Sequence, residues 1–245
     1  MAKNYKKIIL DILVIATAFA VLVGGEMKLR SYLKFRAIEE ENQEVLDKFK
    51  DVKTVPTLST NTGYSENGLL MVPFICQAPL ETVQNWKLHE TSCEEAALLQ
   101  AYLYETNSDM TKEKANQEIL KMKDWENLNM NGEHDLYGDD MKKFMMGYYG
   151  LKDNQVKIIY KASIEDIKTE INAGHPVIAP VTAKLIGNPY YPYPGYHMLT
   201  VIGYTSDKII TNDNGTRHGK SFSYDTAIFK KAMDDAGGDV IILSI

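Results

Sequence analysis

The chain has 245 residues, enough for one domain of ordinary size with appendages or for two small domains. Its net charge of −6 and pI near 5.5, with no Lys/Arg run after the first apolar segment, leave no electrostatic footprint for nucleic acid, so no DNA or RNA partner is expected. Two cysteines do not make a disulfide-stapled scaffold, and fifteen tyrosines against seven phenylalanines favour surfaces that are both apolar and hydrogen-bonding.

Lys3, Lys6 and Lys7 precede an apolar run from Ile8 to Gly25 broken only by Asp11 and Thr17, about the length of a bilayer-spanning helix. The positive flank predicts a cytoplasmic N-terminus with the remainder outside, although Lys28 and Arg30 weaken the asymmetry. Ala16 and Ala18 could be read by a signal peptidase, which would leave the protein secreted, but they lie inside the run instead of after it. Retention as a single-pass signal-anchor over residues 1–27 is therefore expected. From Lys28 to about Val52 the chain is charged and helix-forming, and from Lys53 to Asn67 it is rich in Thr, Ser, Asn, Gly and Pro. Residues 28–68 read as a helical stalk and linker.

A folded domain is expected over residues 69–245, opening with a strand at Leu70–Ile75 and a polar loop containing Trp86. After a helix headed by Cys93, Thr111 can cap a second helix reaching Met122. Asp139 to Tyr149 reads as a third, with Met141, Phe144, Met145 and Tyr148 on one face. Gln155–Tyr160 alternates as a strand, and Ser163 with Asp166 caps a helix ending at Gly174. Strands then follow at Pro176–Val181, His197–Tyr204, Lys208–Thr211, Lys220–Tyr224 and Asp239–Ile245. Helices first and an antiparallel sheet afterwards is an α+β order. The Pro- and Tyr-rich loop Gly187–Gly195 leads directly to His197 and is a candidate wall for a substrate cleft.

Cys93 stands in the first turn of its helix. Thr91 or Ser92 can act as N-cap, with Glu94 or Glu95 three residues on, and Ala96, Leu99 and Leu103 form a buried face. Unpaired amides and the helix dipole at that end favour an anion, so a lowered thiol pKa is expected. A base is available in His197, which opens a strand and can project toward the helix end; His89, His134 and His218 sit in polar loops and His175 stands beside Pro176. Asp213 or Asn212, one hairpin later, can fix the tautomer of that ring. Gln77 can supply an amide to a developing oxyanion together with the Cys93 backbone N–H.

The separated motifs Val72-Pro73-Phe74, Gln77-Ala78-Pro79, Trp86 and Cys93-Glu94-Glu95-Ala96, then His197–Tyr204 and Thr211–Lys220, resemble in order those of C39-like peptidase domains of bacterial envelope and secreted proteins. The resemblance covers about residues 70–245. It implies a papain-like cysteine-peptidase fold with a Cys-His-Asp triad at Cys93, His197 and Asp213, a Gln77 oxyanion donor, a peptide or protein substrate, and neither metal nor other cofactor. Asn214 stands where that family usually has proline, and Cys-Glu-Glu-Ala replaces the common Cys-Gly-Pro-Ala. The founding members cut leader peptides while fused to transporters, and that activity is not carried over.

The function expected is thus hydrolysis of peptide bonds at the cell envelope through a thiolate–imidazole pair and an acyl-enzyme. Other readings stay open: a peptidoglycan stem-peptide amidase with the same triad, an inactive anchored peptide-binding module, a Cys76–Cys93 disulfide, or a metal held by Cys76, His89, Cys93 and His197.

Overall fold

The computed structural model describes residues 2–49, 68–132, 135–191 and 195–245, with side chains from Val23 onward. The chain divides into two compact units, Met1–Glu44 and Val45–Ile245. In the first, helix α1 (Ala2–Asp47) exposes Met27, Leu29, Tyr32 and Leu33, and carries the i,i+4 pairs Arg30–Glu26 and Arg36–Glu40 at 2.5 and 2.9 Å. Such exposed pairs contribute little to stability. Residues 28–47 are helical. The expected membrane span falls largely on residues 1–22, whose side chains lie outside those described, and the linker at 53–67 lies outside them entirely. Among the described residues no helix is long and apolar enough to cross a membrane.

The second unit is an antiparallel sheet with helices packed on it. Strands β2 (Val156–Ile159), β3 (Val177–Thr182), β4 (Tyr196–Tyr204), β5 (Lys208–Asn212), β6 (Phe222–Asp225) and β7 (Val240–Leu243) lie in the order β2-β7-β3-β4-β5-β6. The short β1 (Gly68–Leu69) pairs with Gly203 and Tyr204 of β4, just past the point where β3 stops at Val177↔Val201. The chain's last strand therefore sits between β2 and β3. The expected combination of helices with an antiparallel sheet is present.

Helices α2 (Val83–Leu88), α3 (Cys93–Glu105), α4 (Lys112–Asn129) and α5 (Gly138–Tyr149) precede the sheet, and α6 (Ile164–Asn172), α7 (Ala183–Ile186) and α8 (Thr226–Asp235) connect its strands. Thr111 caps α4 through its hydroxyl, Ser163 and Asp166 form the expected capping box of α6, and Gly150 closes α5 in the left-handed region at φ 66°. The predicted strand at Leu70–Ile75 is not formed, and the strand pairing lies just before it, in β1. Leu70 N–H still reaches Ile202 O at 2.7 Å, but Pro73 has no N–H with which to continue a ladder. The loop around Trp86 is instead α2, capped by Thr82. Helix α8, absent from the sequence reading, is capped by Asp225 and buries Phe229, Ala232 and Met233.

Helix α3 is buried on every side and not along the single face expected. Ala96, Ala97, Leu98, Leu99 and Ala101 are fully enclosed, packed with Ile119 and Met122 of α4, Met141, Phe144 and Met145 of α5, and Met198 of β4. Burying each such leucine contributes roughly 1.5–3 kcal/mol. The helix is thereby a fixed post on which its first residue is mounted.

Where β1 crosses β4, a Cβ added at Gly203 would lie 2.5 Å from Gly68 O and 2.9 Å from a Leu69 methyl. Gly203→Ala is expected to push β1 away and cost about 1–3 kcal/mol. Urea unfolding should show this as a lowered midpoint, and an unchanged midpoint would mean that β1 is not held in this register.

Candidate active site

The turn before α3 is pinned from three sides. Gln77 Nε2 donates to His89 O at 2.8 Å and Glu90 O at 3.3 Å, Lys123 Nζ donates to Leu88 O at 3.0 Å, and the buried His89 ring meets Ser92 Oγ at 3.1 Å and Asn116 Oδ1 at 2.8 Å. Ser92 is the N-cap residue, yet its hydroxyl faces His89 and makes no cap bond, so the expected capping box is not formed. Glu94 and Glu95 turn inward, both almost fully buried.

His197 is the second residue of β4, and its Nε2 lies 2.9 Å from Asp213 Oδ1. Asp213 follows β5 in a tight turn closed by its own N–H on Gly219 O. Its buried carboxylate also accepts from Tyr191 OH (2.7 Å), Tyr224 OH, Asn188 Nδ2 (3.0 Å) and Gly215 N–H (3.1 Å). Burial alone would raise its pKa, but the His197 charge and hydrogen bond, with the Tyr224 and Tyr191 hydroxyls, outweigh that and hold it below the usual carboxylate value. Facing an ionised carboxylate, Nε2 carries the hydrogen, which makes Nδ1 the basic nitrogen of the neutral ring. Gly215 backs this ring so closely that a Cβ there would be 3.0 Å from His197 Cε1. Asn212 is occupied elsewhere, donating to Val72 O at 3.0 Å and accepting from Ser221 N–H, so Asp213 is the ring's partner.

Asn214 joins the two halves. Its Nδ2 donates to Cys93 O and Met198 O, 3.0 Å each, and its backbone carbonyl accepts from Gln77 N–H at 2.9 Å. The Cys93 thiol, however, donates to Glu94 Oε2 at 2.9 Å and makes no hydrogen bond to His197. Burial first, then the charge and hydrogen bond of Glu94, push the Cys93 pKa well above that of a free thiol, while the Met198 backbone opposes the shift. The expected low thiol pKa is corrected accordingly, because enclosure and an adjacent carboxylate outweigh the helix end.

Cys93, His197 and Asp213 are thus gathered at one end of α3 and β4, with Gln77 at the foot of the same helix. Cys76 is free and buried, its Sγ 3.5 Å from Asn214 O and its pKa pushed up by burial to about 12; Cys93 is free as well. His89, held by Ser92 and Asn116, is a packing residue of the α2–α3 turn. The sequence reading missed the roles of Asn188, Tyr191, Tyr224 and Gly215 around Asp213. Its one signal for them was the Tyr-rich approach to His197.

Burial raises the Glu94 pKa to about 7, and the Glu95 pKa rises well above its ordinary 4.5 through burial and then the charge of Glu94. Both carboxyls stabilise the fold in protonated form, fully below about 4.5 and with loss as pH rises through 7; Asp213 contributes above its ordinary 3.8 and loses this in acid. The urea midpoint should therefore peak near pH ~5 and fall toward pH ~8. Glu95→Gln should flatten the alkaline side, and a midpoint still rising from pH ~5 to ~8 would contradict these shifts.

The Peptidase_C39 like family matches residues 69–238. No curated protein matches the chain. A crystal structure described as a C39-like peptidase from Bacillus anthracis is similar over 74% of this chain and 98% of that one, with TM-score 0.52 and 16% identity, which is a likeness of fold. The mixed fold of helices on an antiparallel sheet agrees with that likeness, and the chain belongs to the Peptidase_C39 like family.

Proposed function

We propose that the protein is a cysteine peptidase in which Cys93 is the nucleophile, His197 the general base and acid, and Asp213 the residue that orients the ring. The observation that carries this reading is the amide of Asn214, which ties the Cys93 carbonyl to the strand position next to His197 while the neighbouring Asp213 holds the imidazole.

In the proposed cycle the Cys93 proton passes to His197 Nδ1 and the thiolate attacks the scissile carbonyl carbon. The resulting oxyanion is met by the Cys93 backbone N–H, which at the first helical position has no intrahelical acceptor. Gln77 is the proposed second donor. Both its amide hydrogens now point to His89 O and Glu90 O, so this role requires the weaker contact, at 3.3 Å, to be exchanged for substrate. The C–N bond breaks as the imidazolium protonates the leaving amine. Water, deprotonated by Nδ1, then hydrolyses the thioester and returns the thiol.

The lysine-flanked apolar run at 8–25 supports an envelope-anchored form with the domain outside the cytoplasm. Protease added to intact cells is expected to digest residues beyond Lys28, and complete protection would reverse the orientation.

Cys93→Ala and His197→Ala should each lower kcat by about 10⁴-fold or more toward a cleavable peptide, with little further loss in the double variant because the pair acts as a unit. Asp213→Ala should retain more activity than either. Cys76→Ala should be close to neutral, since its thiol is enclosed and meets backbone groups of Asn214 and Ala78. Full activity of Cys93→Ala would sink the mechanism.

A further inference from the structure

The proposed cycle makes no use of the carboxyl nearest its nucleophile. Glu94 is 4% exposed, and its two oxygens have separate partners: Oε2 accepts from Cys93 Sγ at 2.9 Å and Oε1 from the Leu136 backbone N–H at 3.2 Å. The second contact fixes the carboxyl against the segment before α5, so the first is a built contact, unlike the bonds of a freely rotating surface side chain. A thiol whose hydrogen is directed at a carboxylate is not directed at an imidazole. In addition, a thiolate formed there would face a negative charge within hydrogen-bond distance in an enclosed site, where charges are poorly screened.

We propose that Glu94 is a positioning residue that latches Cys93: ionised, it accepts the thiol hydrogen and keeps the proton on sulfur, and once protonated it releases the nucleophile to His197. This rests on Cys93 being the nucleophile. The proton balance is simple. The Glu94 carboxylate takes one proton from solvent; the thiol proton then passes to His197 Nδ1, giving thiolate and imidazolium; and the neutral carboxyl can donate its O–H to the thiolate it previously opposed.

The surroundings of Glu94 favour this exchange. Glu95 stands beside it on α3, Asp135 faces it from the segment before α5, Tyr137 lies at the start of α5, and Tyr196 reaches in from β4 with its hydroxyl on Leu136 O at 2.6 Å. On α4, Glu126 and Lys123 act on Glu95. Burial and the Asp135 charge both make the neutral form of Glu94 easier to reach, against the hydrogen bonds from Cys93 and Leu136. The switch therefore falls near neutrality, and acid is the releasing direction.

The test uses the full chain with Cys76→Ala, so that Cys93 is the one thiol, and follows its alkylation by iodoacetamide between about pH 5 and pH 9. The parent is expected to react fastest on the acid side, slow as pH rises through neutrality, and recover only when the thiol itself ionises. Glu94→Gln should abolish the slowing and react about tenfold faster than the parent near pH ~8, equivalent to one pKa unit, while matching it near pH ~5.5. Glu94→Asp, which keeps the charge, should restore part of the slowing. If Glu94→Gln does not fold, the infrared S–H band of the parent decides, since it should shift as Glu94 titrates. A Glu94→Gln profile that superimposes on the parent, or an S–H band indifferent to pH, overturns the latch. Peptide cleavage measured alongside separates the two readings: a failed latch leaves Cys93→Ala inactive, whereas a failed assignment of the nucleophile leaves Cys93→Ala active whatever the alkylation profile.

Discussion

The side-chain amide of Asn214 is the contact on which the geometry of the site depends. Its two N–H groups satisfy the carbonyls of Cys93 and Met198, which belong to a helix and a strand far apart in sequence, and the backbone carbonyl of the same residue receives the N–H of Gln77. Every residue assigned to chemistry is therefore bonded to Asn214 or adjacent to a residue that is. Thr200 Oγ1 on Ala97 O, at 3.2 Å, adds a second bond between the same helix and strand one turn further in. Hydrophobic packing of α3 sets how closely the two elements approach but is non-directional and tolerates sliding; the bonds to the two carbonyls do not, because a slip of even one ångström would break both, at about 0.5–1.5 kcal/mol each.

Two kinds of buried carboxylate stand on either side of this amide. Asp213 receives five donors and is held ionised, so it behaves as a fixed negative charge that gives the His197 ring one orientation. Glu95 is equally buried, but neither of its oxygens has a hydrogen-bond partner, and its neighbours include Glu94 and Glu126. An anion without donors in such a place is far costlier than a neutral acid, so Glu95 is kept neutral by its surroundings while Asp213 is kept charged. Glu94 lies between these extremes, with two donors and a pKa near neutrality, which is why it alone can change state over an ordinary pH range.

Much of this was legible in the sequence. Caps at Thr111 and Ser163, the glycine after α6, the alternation of β2 and the apolar run of β4 are local signals, and local chemistry decided them. The grouping of Cys93, His197 and Asp213 was readable through the resemblance of ordered motifs, and the choice of Asp213 over Asn212 needed only the direction in which each side chain leaves the β5 turn. Other features were hidden for physical reasons. The Glu-Glu pair after Cys93 fits a capping box in one dimension, but the burial of α3 on all sides takes those side chains inward and leaves the cap unmade. The lowered thiol pKa followed from the helix end alone; enclosure and the Glu94 contact, which reverse it, are tertiary facts. Helix α8 was present as Asp225 followed by Ile228, Phe229, Ala232 and Met233, and reading that stretch as an interval between strands missed it.

The Tyr-rich loop before β4 shows how the same constraint reaches beyond the imidazole. Residues 187–191 have no regular structure beyond the left-handed Gly187, yet Asn188 and Tyr191 both donate to Asp213, and Asn188 Oδ1 receives Tyr190 N–H at 3.0 Å. The Tyr190 ring stacks on His218 at 4.5 Å, and the Tyr191 ring lies 5.2 Å from His197. The order of the loop is thus drawn from the carboxylate that orients the base, and not from any propensity of its own. A residue that fixes the imidazole also fixes the loop beside it, so the charge on Asp213 sets the ring's tautomer and the positions of Asn188 and Tyr191 together.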